Sequence, residues 1–214
     1  MTARRLLLVL VLCGPVACAE PSVAGDPLVD VRRYVPDAVL DVRYATADNF
    51  LKRPVYPFAA VFIRQSVAKR LRSAAKGLRS RGLRLKFYDG YRPLSVQKEM
   101  WALFPDPRFV ADPKRGSMHN RGGAVDLSLV GADGKELEMP SAYDDFTPKA
   151  FHDRTDAAPA AAANAKLLRA AMEGAGLKAL PTEWWHYQDL HAKDYPVLDV
   201  PHHLAVRDAA ANRP

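Results

Sequence analysis

The stretch from Ser117 to Leu129, SMHNRGGAVDLSL, constrains this 214-residue chain more than any other. From Ala124 onward the residues alternate as in a strand, with Val125, Leu127 and Leu129 on its buried face. Asp126 then projects from the opposite face, and His119 lies in the loop that feeds the strand. Gly122 and Gly123 let the chain turn sharply and let another backbone come close. An imidazole and a carboxylate brought together this way are two ligands suited to Zn²⁺. A catalytic site needs a third, and an open position for water. The plainer alternative is a core strand with a capping aspartate and a loop histidine.

Glu183-Trp184-Trp185-His186-Tyr187 reads as an aromatic strand and offers His186 as the missing ligand. Glu183 is a candidate general base. Positions three apart face opposite sides of an ideal strand, so Glu183 must sit at the strand entry or in a bulge. Pro181 just upstream favours such irregular backbone. The paired tryptophans are read as core or pocket wall. Asp89-Gly90-Tyr91-Arg92-Pro93 holds a guanidinium on a tight strand-to-helix turn. Near a metal, Arg92 would stabilise the oxyanion of a tetrahedral intermediate; alone, an arginine before a proline is ordinarily a surface residue. His152, His191, His202 and His203 are poorer ligand candidates, and the last pair reads as solvated in the tail.

The remaining elements are read from pattern. Leu40–Tyr44 and Leu83–Tyr88 alternate as strands, and Glu136–Met139 comes after a hairpin-like turn at 132–135. Apolar residues at helical spacing predict a helix over Ala60–Ser80, with Arg64, Lys69, Arg70, Arg72, Lys76 and Arg79 on a solvated outer face. Further helices are predicted from about Ser95, a candidate N-cap, and over Ala160–Glu173. The loop from Phe104 to Gly116 holds Pro105, Pro107 and Pro113, and a loop of that length suggests a pocket wall.

The first 19 residues read as a targeting signal: Arg4 and Arg5, the apolar run Leu6–Leu12, then the small-x-small site Ala17-Cys18-Ala19. The run is far shorter than the roughly 20 residues a membrane span needs. Soluble export to the periplasm or cell envelope is expected, with lipidation at Cys18 as the alternative. Residues 20–214 then form one domain, large enough for a good core. Its 29 basic and 24 acidic residues leave a modest +5, and no basic run is interleaved with aromatics, which argues against nucleic acid. Both cysteines fall in the targeting segment, so a metal site must use His, Asp and Glu.

Ser117-x-His119-x-x-Gly122-x-Ala124-x-Asp126 together with Glu183-x-x-His186 resembles the zinc D,D-peptidases related to Hedgehog N-terminal domains. Within that group, the run Asp41–Phe50 (DVRYATADNF) and Asp89-Gly90-Tyr91-Arg92-Pro93 resemble the D-alanyl-D-alanine dipeptidase branch, and the likeness runs from about residue 30 to 190. It implies an α+β single domain whose central, mainly antiparallel sheet carries the site and is flanked by helices. It also implies one Zn²⁺ held by His119, Asp126 and His186, Glu183 as base and proton shuttle, and Arg92 on the oxyanion. Tyr44, Ser117 and Asp144 would contact the substrate, chiefly its ammonium end. Met139–Phe146 (MPSAYDDF) departs from the family's usual lead, so Asp145 stands beside Asp144 as a candidate. The implied reaction is hydrolysis of the D-Ala-D-Ala dipeptide by metal-activated water. The alternatives are a D,D-carboxypeptidase or endopeptidase on peptidoglycan peptides, and a non-catalytic zinc or wall-binding module. Branch members that confer glycopeptide resistance act in the cytoplasm, so an exported copy implies scavenging of dipeptide or wall fragments.

Overall fold

The computed structural model describes residues 25–205. The targeting segment, Cys18 included, lies outside the described residues. In chain order the strands are β1 (Leu28–Asp30), β2 (Val39–Leu40), β3 (Phe62–Arg64), β4 (Arg84–Asp89), β5 (Ala124–Val130), β6 (Leu177–Leu180) and β7 (Glu183–Asp189). The helices are α1 (Gln65–Arg79), α2 (Leu94–Leu103) and α3 (Pro159–Gly174). The main sheet has five strands in the order β2-β4-β5-β7-β6, antiparallel throughout except for the parallel β2–β4 pair. β1 and β3 form a separate antiparallel pair. This is the α+β architecture expected, a mainly antiparallel sheet with helices packed on it.

β5 occupies the middle of the sheet, and all seven of its residues are buried. Val125, Leu127 and Leu129 meet Leu85 and Phe87 of β4, Val67, Leu71 and Leu78 of α1, and Leu168 and Met172 of α3 in one core. Each such side chain contributes about 1.5–3 kcal/mol when fully removed from water. The core fixes the strand's register, because a slip of one residue would send Asp126 into this apolar layer. Among the described residues, no helix is long and apolar enough to cross a membrane.

Several expected boundaries move, each for a physical reason. The helix expected from Ala60 begins at Gln65, because Phe62, Ile63 and Arg64 pair with β1 instead. Arg64 is therefore not on the outer face: it is buried, with Nε donating to the Arg121 carbonyl at 2.9 Å and Nη1 to the Asp26 carbonyl at 2.8 Å. The Leu40–Tyr44 strand shrinks to Val39–Leu40, and a 3₁₀ turn over Arg43–Ala45 turns Tyr44 into the protein. Glu136–Met139 makes only an isolated bridge, Val130 with Glu136. Pro93, not Ser95, occupies the N-cap of α2, and the Asp199 carboxylate accepts from the Ser95 N–H at 2.7 Å.

The described part of the tail, up to Ala205, is built into the fold. Leu198, Val200 and Ala205 close a second cluster over Leu28, Ala60, Phe62 and Tyr91. His202, expected to be solvated, is buried there among aromatic rings, with Nε2 hydrogen-bonded to the Tyr91 carbonyl at 3.0 Å. His203 is exposed, as expected.

Gly90 is the tightest point behind the turn that carries Arg92. A Cβ there would lie 2.6 Å from the Phe62 carbonyl oxygen and 2.7 Å from Val61 Cγ1. That oxygen already accepts from the Tyr91 N–H. Gly90→Ala is expected to cost about 1–3 kcal/mol, as overpacked sites do, read as a lowered Tm in thermal unfolding. An unchanged Tm would mean that the turn gives way freely.

Candidate metal centre

Strand register brings the distant residues together. Asp126 lies opposite His186 in the β5–β7 ladder, and residues paired across antiparallel strands present side chains to the same face. His119 arrives from the other direction, on a 3₁₀ turn over His119–Arg121. Gly122 closes that turn with φ 67°, a left-handed conformation that glycine adopts without steric cost.

His186 Nδ1 is 3.0 Å from Asp126 Oδ1, His119 Nε2 is 3.3 Å from the same oxygen, and the two nitrogens are 3.1 Å apart. A tetrahedral ion with bonds of about 2.0–2.1 Å has ligand atoms roughly 3.4 Å apart, so this donor set fits one. The outward atom of each group is already engaged. His119 Nδ1–H donates to the Gly90 carbonyl at 2.7 Å, which turns the Nε2 lone pair inward. His186 Nε2 faces Gln188 Oε1 at 3.3 Å, and Tyr143 donates to Asp126 Oδ2 at 3.0 Å. Among the described residues, His119, Asp126 and His186 are the one group of His, Cys, Asp or Glu side chains placed to share an ion.

Glu183 is the first residue of β7, its Oε2 3.8 Å from His186 Nδ1. The irregularity expected near Pro181 is present: Ala179 pairs with Tyr187, yet the next residue, Leu180, pairs with Glu183. The slip returns Glu183 to the side of His186. Arg92 is buried, not on the surface. Its Nε and Nη2 donate to Asp89 Oδ2 at 3.1 and 2.8 Å, and Nη1 donates to Gln97 Oε1 at 2.9 Å. Its guanidinium carbon lies 5.3 Å from the centre of the Tyr44 ring.

Tyr44 donates to Asp144 Oδ2 at 2.9 Å, and Ser117 Oγ accepts from the Asn120 N–H at 3.2 Å. Tyr44, Arg92, Ser117, His119, Asp126, Asp144, Glu183 and His186 all line one cavity of about 390 Å³. Trp185 and residues of the 104–116 loop wall it. Of the two neighbouring aspartates, Asp144 faces the cavity, held at φ 58°, while Asp145 accepts from Thr147 Oγ1.

The sequence matches the D-Ala-D-Ala dipeptidase family of M15 peptidases over residues 25–203. The chain belongs to that family. It is 34% identical over 171 residues to the D-alanyl-D-alanine dipeptidase of Escherichia coli (strain K12), covering 80% of this chain and 89% of that one. The D-alanyl-D-alanine dipeptidase of Enterococcus faecalis (strain ATCC 700802 / V583) is 32% identical over 187 residues, 78% of this chain and 91% of that one. The one from Streptomyces coelicolor (strain ATCC BAA-471 / A3(2) / M145) is 32% identical over 168 residues, 69% and 83% of the two chains.

In this member of the family, burial and pairing set the charges. Burial alone would raise the Asp126 carboxyl, but His119 and His186 hold it well below the usual carboxylate range. Burial opposes charge on His119, and Asp126 outweighs it, so that pKa is raised. Burial pushes Glu183 up to about 8 and Asp144 up to about 7. Sequence reasoning missed four residues that orient the site. They are Asp89, which takes Arg92 and the Tyr56 hydroxyl, Gln97, Tyr143 and Gln188. Only Asp89 left a readable trace, as an acid three residues before the arginine it holds.

In the ion-free protein the folded state keeps a proton on Glu183 that the unfolded chain releases near its ordinary value of 4.5. Stability contributed by that group therefore falls as pH rises from 4.5 toward about 8. Chelated Glu183→Gln protein is expected to lose less stability than the chelated parent across that window, in urea titrations. Parallel curves for the two would remove burial as the cause.

Proposed function

We propose that this protein hydrolyses the free dipeptide D-Ala-D-Ala to two D-alanines, using a zinc ion held by His119, Asp126 and His186. The observation that carries the reading is the cavity itself. One small space holds a metal-ligand set, an acid beside it, a buried guanidinium and a separate carboxylate, Asp144. The family's description and the names of the relatives supply the substrate class. Two imidazoles and a carboxylate, with no thiol, suit zinc, which when bound supplies a Lewis acid and an acidified water.

The chain's own residues do the rest. Asp144, with Tyr44 bonded to it and Ser117 lining the same cavity, binds the substrate's ammonium group. Arg92 is pinned by Asp89 and Gln97, so its N–H groups need no reorganisation as negative charge grows on the scissile carbonyl oxygen. Glu183 Oε2 accepts the proton of the attacking water and delivers it to the nitrogen of the departing D-alanine. A structural zinc site would need neither Glu183 nor Arg92, which weighs against a non-catalytic module.

Loss of a general base typically costs about 10²–10⁴-fold in rate. Zinc-loaded Glu183→Ala protein is expected to keep its metal, by elemental analysis, and to lose D-Ala-D-Ala turnover on that scale; chelation should abolish turnover in the parent. Near-parental turnover in the variant would take the proton transfers away from Glu183.

The proposal extends to location. Arg4, Arg5 and the apolar run Leu6–Leu12 support export to the periplasm or cell envelope, where the enzyme would scavenge dipeptide from wall turnover rather than protect against glycopeptides. Fractionation should find the mature chain outside the cytoplasm, beginning at Glu20 or at a lipidated Cys18. An uncleaved cytoplasmic chain, or loss of glycopeptide resistance on gene deletion, would refute this.

A further inference from the structure

Phe146 is the hub of an aromatic cluster on the wall of the site cavity. Its ring centroid lies 5.2 Å from Phe50, 5.0 Å from Phe104 and 5.2 Å from Phe109. The rings come from separate segments of the chain. Phe50 lies beyond the 3₁₀ turn that carries Tyr44, Phe104 and Phe109 belong to the proline-rich loop, and Phe146 lies two residues beyond Asp144. Phe50, Phe109 and Phe146 line the cavity alongside Tyr44 and Asp144. Phe50 meets the Tyr44 ring edge-on at 6.2 Å, and Tyr44 donates to Asp144. The carboxylate and the aromatic wall are thus one packed unit. Aromatic pairs of this kind attract one another beyond their buried area, so opening the wall means separating several at once.

We propose that Phe146, backed by Phe50 and Phe109, determines specificity by closing the cavity just beyond the substrate's amino nitrogen. This rests on the dipeptidase reading, with Asp144 on the ammonium. A substituent on that nitrogen, most of all the rest of a peptide chain, then meets ring carbon. The metal ligands, Glu183 and Arg92 would serve a carboxypeptidase equally well. The wall is what restricts this site to free dipeptides.

Size and charge have to be separated to test this. N-acetylation adds bulk but also removes the ammonium charge. N,N-dimethyl-D-Ala-D-Ala keeps the charge and one N–H donor and replaces the other two with methyl groups; the Phe variants, which leave Asp144 in place, separate the lost donors from the added bulk. One surplus carbon in a fitted apolar pocket is worth about 10–200-fold in discrimination. The parent, zinc-loaded, is expected to show kcat/KM at least about tenfold lower for the dimethyl substrate than for D-Ala-D-Ala. In Phe146→Ala that ratio should recover toward one, and in Phe50→Ala it should recover partly; the second variant reports if the first does not fold. The same ratio is read as Kd by calorimetry on zinc-loaded Glu183→Gln protein, with and without Phe146→Ala, so the wall is tested independently of turnover. Equal efficiency and equal affinity of the parent for both ligands, or an unchanged ratio in both variants, overturns the proposal. A parent that binds the two ligands unequally but hydrolyses neither overturns the dipeptidase reading and leaves the wall standing.

Discussion

A carboxylate buried at the centre of a five-stranded sheet has to be met by positive charge, and Asp126 is such a carboxylate. Desolvating it is costly, and His119 and His186, joined by the Tyr143 hydroxyl, offset that cost. The two imidazoles come from opposite sides: one from the neighbouring strand, the other from the loop that enters Asp126's own strand. The same arrangement that makes Asp126 tolerable inside the protein makes the trio a set of ligands. A bound ion would take over the role of the imidazolium proton, so folding and metal binding draw on one electrostatic requirement.

A second buried pair, Asp89 with Arg92, is fastened to the first through backbone. The Arg92 N–H donates to the His119 carbonyl at 3.2 Å, His119 Nδ1–H donates to the Gly90 carbonyl at 2.7 Å, and Asn120 Nδ2 donates to the Arg92 carbonyl at 2.9 Å. The turn that presents the guanidinium and the turn that presents the metal ligand are therefore one laced object. Gln97 extends it, bonding Arg92 on one side and the Ala111 carbonyl on the other, which ties the proline-rich wall loop to the same assembly. Positions fixed by such a network are set without help from substrate, which is what electrostatic catalysis demands.

The parts of this protein legible in the sequence are those written in local pattern. The period of two in Leu83–Tyr88 and Ala124–Leu129 marked β4 and β5, and the same period put Asp126 opposite the apolar layer. The misfit between Glu183 and His186 on an ideal strand implied a break in register, and the ladder slips there. The hidden parts depend on partners far along the chain. Phe62–Arg64 shares the helical spacing of the α1 residues next to it, and only pairing with Leu28–Asp30 makes it strand. His202 looks solvated until Phe62, Tyr56 and Tyr91 close around it. Gln97 and Tyr143 carry no mark of their role, because each acts on a residue brought close only by folding.

Three carboxyl groups share the cavity, and their surroundings sort them into different tasks. Asp126, flanked by two imidazoles, stays ionised far into the acid range and suits a permanent ligand. Glu183 is buried and Asp144 half-buried, neither with an equally close cation, and desolvation raises both, to about 8 and about 7. A carboxyl held near neutrality can both take and return a proton, which fits Glu183 at the strand entry, 3.8 Å from the ligand nitrogen. Asp144 accepts from Tyr44 instead, and on the proposed reading its charge is steadied by a cation that comes and goes with the substrate. The ammonium group of a free dipeptide is such a cation, and an acylated peptide does not carry one at that place. On that reading, selectivity for an unblocked amino end has two sources, an acid that awaits a cation and the aromatic wall beyond it.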